Sequence, residues 1–168
     1  MADTYPAFDI SPVPVPALDA EAPELFHGLY GMPMFVTVAT ADLAESVHFW
    51  TRGLGFFDLF TVPGQLTHLR RWAFQDVLLV PGDHPAETPA QTVSFACVPT
   101  QLDEIASACE RLTPGCTTGP RQMPWNSTEL EIRTPENTRV VMTAARPYDP
   151  SGPEAEFLRS IGITAPDA

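Results

Sequence analysis

Lysine is missing from this chain, and all nine basic residues are arginine. Without an ε-amine there is no Schiff-base chemistry and no lysine for a Walker-type phosphate loop. Cysteine is scarce: Cys97, Cys109 and Cys116 show no CxxC spacing and no histidine-rich neighbourhood, which argues against a zinc module or a disulfide framework. No run of about 18 apolar residues occurs, and the N-terminal MADTYPAFDI is acidic where an export signal would be basic, so a cytoplasmic protein is expected. Positive charge is also in deficit. The formal net charge of −12 repels phosphate backbones and anionic membranes, so neither nucleic acid nor membrane is expected as a partner.

What is present suits one globular domain. A chain of 168 residues with 44% hydrophobic residues can bury roughly 70% of its unfolded surface without a covalent staple. Residues 1–29, which contain SPVPVPALDAEAPE, read as a proline-rich acidic arm, either draped over the domain or disordered, because proline removes amide donors and the acids keep the segment solvated. The domain proper is expected over 30–147. In the tail, 148–168, Phe157, Leu158 and Ile161 sit at helical spacing and predict a short docked helix.

Within the domain one pattern occurs twice. Over about 32–83, FVTVAT reads as a strand, Asp42 caps a helix in LAESVHFWTRG with Glu45 at the capping-box position, and Gly53 and Gly55 end it. FFDLFTV, LTHLRRWAF and DVLLVPGD then read as three strands, the last two joined by a tight turn near Gln75 and Asp76. After the linker HPAETPAQ, the second unit, about 92–145, has TVSFACV as a strand and QLDEIASACERL as a helix that Gly115 stops. Extended segments follow around CTTGPRQMPW, STELEIRTP and TRVVMTA, with a turn at Glu136 and Asn137. The order is βαβββ both times, a duplication of order rather than of letters.

ATADLAESVHFWTRGLGF and the late hairpin RTPENTRVVM, set in two βαβββ units, resemble the vicinal oxygen chelate superfamily, which includes glyoxalase I, extradiol dioxygenases, fosfomycin resistance proteins and bleomycin-binding proteins. The resemblance covers roughly residues 32–145 and implies an α+β fold in which two modules pair curved mixed sheets around a cup, in chains that often form homodimers. In metal-using members His or Glu stands at cup-facing strand positions. Carried over by motif, these fall at Phe35, near Thr92 and near Val141, none of them a usual divalent-metal ligand. The expectation is a fold kept with its metal lost, and no cofactor.

A metal-free cup would hold a small molecule against apolar walls with a few polar groups. Phe35, Trp72, Phe95, Met123 and Trp125 are candidate stacking surfaces, while Thr37, His68, Arg70 and Arg133 are candidate polar contacts. For the strand phenylalanines the plain alternative is core packing, and for the arginines a solvated or ion-paired surface. Trp50 fits the apolar pattern of the first helix and reads as core. His68 and Glu129 are the weak catalytic candidates; Glu131 shares a strand face with Glu129, and Cys97 has no activating histidine placed beside it by sequence. The expected function is metal-free binding of an aromatic or hydrophobic natural product, as in antibiotic sequestration. The alternative is an enzyme on the same cup: a metal-independent isomerase, cyclase or hydrolase, or a metal-dependent lyase or dioxygenase.

Overall fold

The computed structural model describes residues 16–28, 35–72, 75–89 and 92–161. The start of the proline-rich arm, the residues just before Phe35, the tip of RRWAF, the end of the linker and the last seven residues lie outside the described residues.

The first module is β1 (Phe35–Thr40), α1 (Leu43–Arg52), β2 (Phe57–Val62), β3 (Leu66–Arg70) and β4 (Asp76–Pro81). Its sheet has the order β1-β4-β3-β2, with β1 and β4 parallel and the other pairs antiparallel. The second repeats it with β5 (Thr92–Cys97), α2 (Gln101–Leu112), β6 (Thr117–Met123), β7 (Ser127–Arg133) and β8 (Arg139–Ala145), in the order β5-β8-β7-β6. The result is the expected α+β architecture of two four-stranded mixed sheets. Among the described residues no helix is long and apolar enough to cross a membrane.

Local chemistry sets the element ends. Asp42 Oδ1 accepts from the Glu45 amide at 2.9 Å, satisfying one orphan N–H of α1. Gly53 closes that helix where α1 meets α2: a Cβ there would stand 2.7 Å from the Phe49 carbonyl oxygen and 3.0 Å from Cys109 Sγ, so a larger residue would force the helices apart. Left-handed backbone is taken up at Gly55, with φ of 73°. Glu110 ends α2 by accepting from the amides of Gly115 and Thr117 and from the Thr117 hydroxyl; these hydrogen bonds hold its carboxyl below the usual range.

β3 stops at Arg70, earlier than the run LTHLRRWAF predicts, because Arg71 and Trp72 turn away into the connection to β4. The C-terminal helix α3 (Pro153–Ser160) docks through Ala155 and Leu158, whereas Ile161 is 55% exposed and does not pack as its spacing suggests.

One face of each sheet is covered by its own helix, and the two undersides merge into a single core. Val38, Leu69 and Leu79 from the first sheet meet Phe49, Trp50, Phe56, Phe95, Leu130 and Met142. Burying a side chain of the size of Phe49 contributes roughly 1.5–3 kcal/mol. The seam is also polar. Glu136, 2% exposed in the β7–β8 turn, accepts from Ser46 Oγ at 3.0 Å and from the Trp50 indole N–H, tying the second module to α1. Its neighbour Asn137 donates to the carbonyls of Pro85 and Ala86, pinning the inter-module linker.

Candidate functional site

The helix-covered sides leave each sheet with one outward face, and strand alternation decides which residues reach it. On the first sheet these are Phe35, Thr37, His68, Arg70, Asp76 and Leu78, aligned by the β1–β4 and β3–β4 registers. Its polar groups are spent on one another. Arg70 Nε and Nη2 donate to Asp76 Oδ1 and Oδ2 at 2.7 and 2.6 Å, and His68 Nε2 stands 3.1 Å from Asp76 Oδ2. All three are nearly inaccessible, at 1% for Arg70, 3% for Asp76 and 4% for His68. Arg70 Nη1 further donates to the carbonyls of Phe26 and Gly28, and its guanidinium lies 5.9 Å from the Phe26 ring centroid, so residues 26–28 of the arm close this corner. The edge of the Phe35 ring meets His68 at 5.1 Å. Thr37 remains exposed beside this cluster.

The second sheet's outward face is open. Thr92, Ser94, Arg121, Met123, Trp125, Glu129, Glu131, Arg139 and Val141 line a cavity of about 360 Å³. The register explains the set: Ser94 and Glu131 flank Val141, and Arg121 stands opposite Glu129. Glu129 Oε1 accepts from the Trp125 indole at 2.7 Å and from Ser127 Oγ at 3.0 Å. Glu131 pairs with Arg139 at 2.7 Å. Trp125 is 47% exposed, an indole held at the rim by one hydrogen bond. Gly119, at φ 106°, gives the strand opposite Glu129 its close approach: a Cβ there would meet the Glu129 carbonyl oxygen at 2.9 Å.

Of the residues singled out by sequence, Met123, Trp125 and Glu129 come together here with Thr92 and Val141, while Phe35, Thr37, His68 and Arg70 lie on the first sheet. Three others go elsewhere. Phe95 is 5% exposed and faces the core, packed edge-on against Trp50 and Phe56, because Val93, Phe95 and Cys97 form the apolar side of β5. Trp72 lies past the end of β3, at the seam between modules. Arg133 is exposed at the far end of β7, beyond the cavity lining. Arg121, Arg139 and Ser94 were missed; the alternation of STELEIR and RVVMTAA carries the signal for the cavity face, but the parity of β6 is hidden by its register shift between Thr118 and Arg121.

The residues that the resemblance sets at metal-ligand positions do not fit a metal ion. Phe35, Thr92 and Val141 offer no imidazole or carboxylate, and the nearby His68 is bonded to Asp76, whose carboxylate is in turn committed to Arg70. Among the described residues no group of three or more His, Cys, Asp and Glu side chains is placed to hold one. Cys97 is unsuited to nucleophilic work: burial pushes its thiol up to about 11 despite the nearby Arg71 charge.

No family model and no curated protein matches the chain in sequence. Solved structures match it in fold. Fosfomycin resistance protein FosX from Mesorhizobium loti is 13% identical with a TM-score of 0.56, over 70% of this chain and 94% of its own. FosX from Listeria monocytogenes, in a complex with Mn(II) and a dihydroxypropylphosphonic acid, is 14% identical with a TM-score of 0.57, over 70% and 92%. Lactoylglutathione lyase from Agrobacterium tumefaciens is 19% identical with a TM-score of 0.52, over 69% and 95%. With two βαβββ modules, their sheet orders and these neighbours, the chain has the fold of the vicinal oxygen chelate superfamily.

Proposed function

We propose that this chain binds a small aromatic or hydrophobic molecule, carrying a cationic or hydrogen-bond-donating group, on the outward face of its second sheet and without a metal ion. The observation that carries this reading is the cavity of about 360 Å³ in which the carboxylates of Glu129 and Glu131 stand beside Trp125 and Met123. Carboxylates attract a donor or cation, and the indole and thioether give it an adaptable apolar wall. The net charge of −12 favours the same sign of ligand at longer range. Resistance by sequestration is the biological role such binding fits, in the manner of the bleomycin-binding branch of the fold.

A second copy of the chain completes the cup in this reading. Each outward face is one wall, and the first sheet carries half-buried Phe35 and Leu78 together with Phe60, 52% exposed, as surface for a partner. Analytical ultracentrifugation of the full chain tests this arm, with a dimer expected.

The binding reading is tested by titrating the protein with cationic aromatic natural products, bleomycin among them, while following tryptophan fluorescence and analysing the ligand afterwards by mass spectrometry. A saturable stoichiometric complex that returns the ligand unchanged supports it. Conversion of the ligand, with turnover lost but binding kept in Glu129→Gln, would instead make this face an active site. His68 is the less accessible candidate, being buried beside Asp76 and Arg70.

A further inference from the structure

Where the two modules meet there is a second cavity, of about 300 Å³, unconnected with the chemistry of the open sheet face. It is bordered by the end of α1, the start of α2 and the turn after β3, and among its walls are Arg52, Phe57, Arg71, Trp72, Gln101 and Glu104. Arg71 is its unusual member. It is 3% exposed, yet every acceptor that it meets is neutral: Ala96 O at 2.9 Å, Gln75 Oε1 at 3.1 Å and Gln101 Oε1 at 2.7 Å. Among the described residues its Nε has no acceptor, and no carboxylate pairs with it.

A buried cation without a counter-charge is costly, and arginines in folded proteins ordinarily find a carboxylate or an anion. In a chain with 21 acidic residues, a buried guanidinium left without one stands out, the other buried arginine, Arg70, being paired with Asp76. Cys97, the titratable group coupled to it, gives no compensation, because burial keeps that thiol protonated at neutral pH. Burial likewise lowers the Arg71 pKa, so the site stores unfavourable desolvation that an anion would relieve.

Two further features define the anion. Arg52, exposed at the end of α1 and forming no ion pair among the described residues, supplies a second cation on the same cavity. Trp72 lies with its ring centroid 5.6 Å from the Arg71 guanidinium and offers a flat apolar surface, with Phe57 as another. Glu104, also on the wall, disfavours a second negative charge. We propose that this inter-module cavity is a binding site for an aromatic monocarboxylate, its carboxylate held between Arg71 and Arg52 and its ring laid against Trp72. The net charge of −12 opposes any anion at long range, so the site acts by contact rather than by steering.

Isothermal titration calorimetry of the full chain with naphthoate, its uncharged isostere naphthamide, and inorganic phosphate tests the proposal. One naphthoate per chain is expected, with naphthamide about tenfold weaker or more, since a charge-assisted hydrogen bond is lost. Arg52→Gln and Arg71→Gln should each weaken naphthoate by about the same factor while leaving naphthamide unchanged, and Trp72→Ala should weaken both. Naphthamide binding as tightly as naphthoate, naphthoate binding untouched by the arginine substitutions, or displacement of naphthoate by phosphate at equal concentration would each overturn it. Should Arg71→Gln fail to fold, Arg52→Gln and the isostere comparison decide the matter, because Arg52 is exposed and its change leaves the core intact.

Discussion

On the first sheet, Asp76 gives both carboxylate oxygens to Arg70, His68 leans on the same carboxylate, and the arm residues Phe26 and Gly28 close over the cluster. On the second, Glu129 and Glu131 stand in an open cavity, tied among the described residues only to the exposed Trp125, to Ser127 and to the half-exposed Arg139. Strand order is the same in both. Topology therefore does not decide which face stays open; that depends on whether the polar groups are satisfied internally. A sealed ion cluster contributes rigidity, whereas a rim-held carboxylate is free to exchange its partners.

Removing a member of the sealed cluster should have the largest effect. Asp76→Ala leaves Arg70 buried without its carboxylate and should cost about 3–5 kcal/mol of stability, read from urea or guanidinium unfolding. A cost near zero would mean that the first face is as solvated as the second.

The next contrast lies beneath the sheets, since all three cysteines belong to the second module. The folded Cys97 pKa is raised from 9.0 to about 11, so in that interval the native state holds a proton that the unfolded state has lost. Stability from this group is present below the unfolded value and is lost as pH rises from about 9 to about 11, by roughly 1–3 kcal/mol. Cys97→Ala should reduce that slope in alkaline melts without abolishing it, because burial also raises the thiols of Cys109 and Cys116. An unchanged slope would place the titration on another group.

Ligand affinity separates the faces next. Glu129→Gln should weaken a cationic aromatic ligand about tenfold, or about 1.4 kcal/mol, while moving the melting midpoint little, as surface changes do. Equal loss from His68→Gln would shift recognition to the first sheet. Smallest is Arg139→Gln, which breaks an exposed pair and should change stability by about 0.5 kcal/mol or less, measured by the same denaturant titration.

The modules were legible because their signals are local: Asp42 before an amphipathic run, alternating FVTVAT and STELEIR, glycines after each helix. Phe95 misled because an aromatic on a strand suits either face, although its companions Val93 and Cys97 are the apolar side of β5. Long-range pairing stayed hidden. Nothing near Glu136 in sequence announces that its carboxylate ends against Ser46 and Trp50, and Asp76 looks like the polar start of an apolar strand until β3 brings Arg70 beside it. Arg71 and Trp72 were read as strand residues, and only the early end of β3 sends them to the seam.

The Glu136 contact also bears on the order of events at the ribosome. Its partners lie 86 and 90 residues earlier in the chain. An emerging chain thus carries the Trp50 indole N–H long before its carboxylate acceptor has been synthesised, whereas the Ser46 hydroxyl already has Thr40 Oγ1 within reach at 2.8 Å. Loop closure over such a span is slow, and the half-made product presents an unpaired indole N–H next to apolar surface. The first module should therefore acquire its final packing only after the last hairpin arrives, which makes the duplicated chain one cooperative folding unit rather than two beads made in succession.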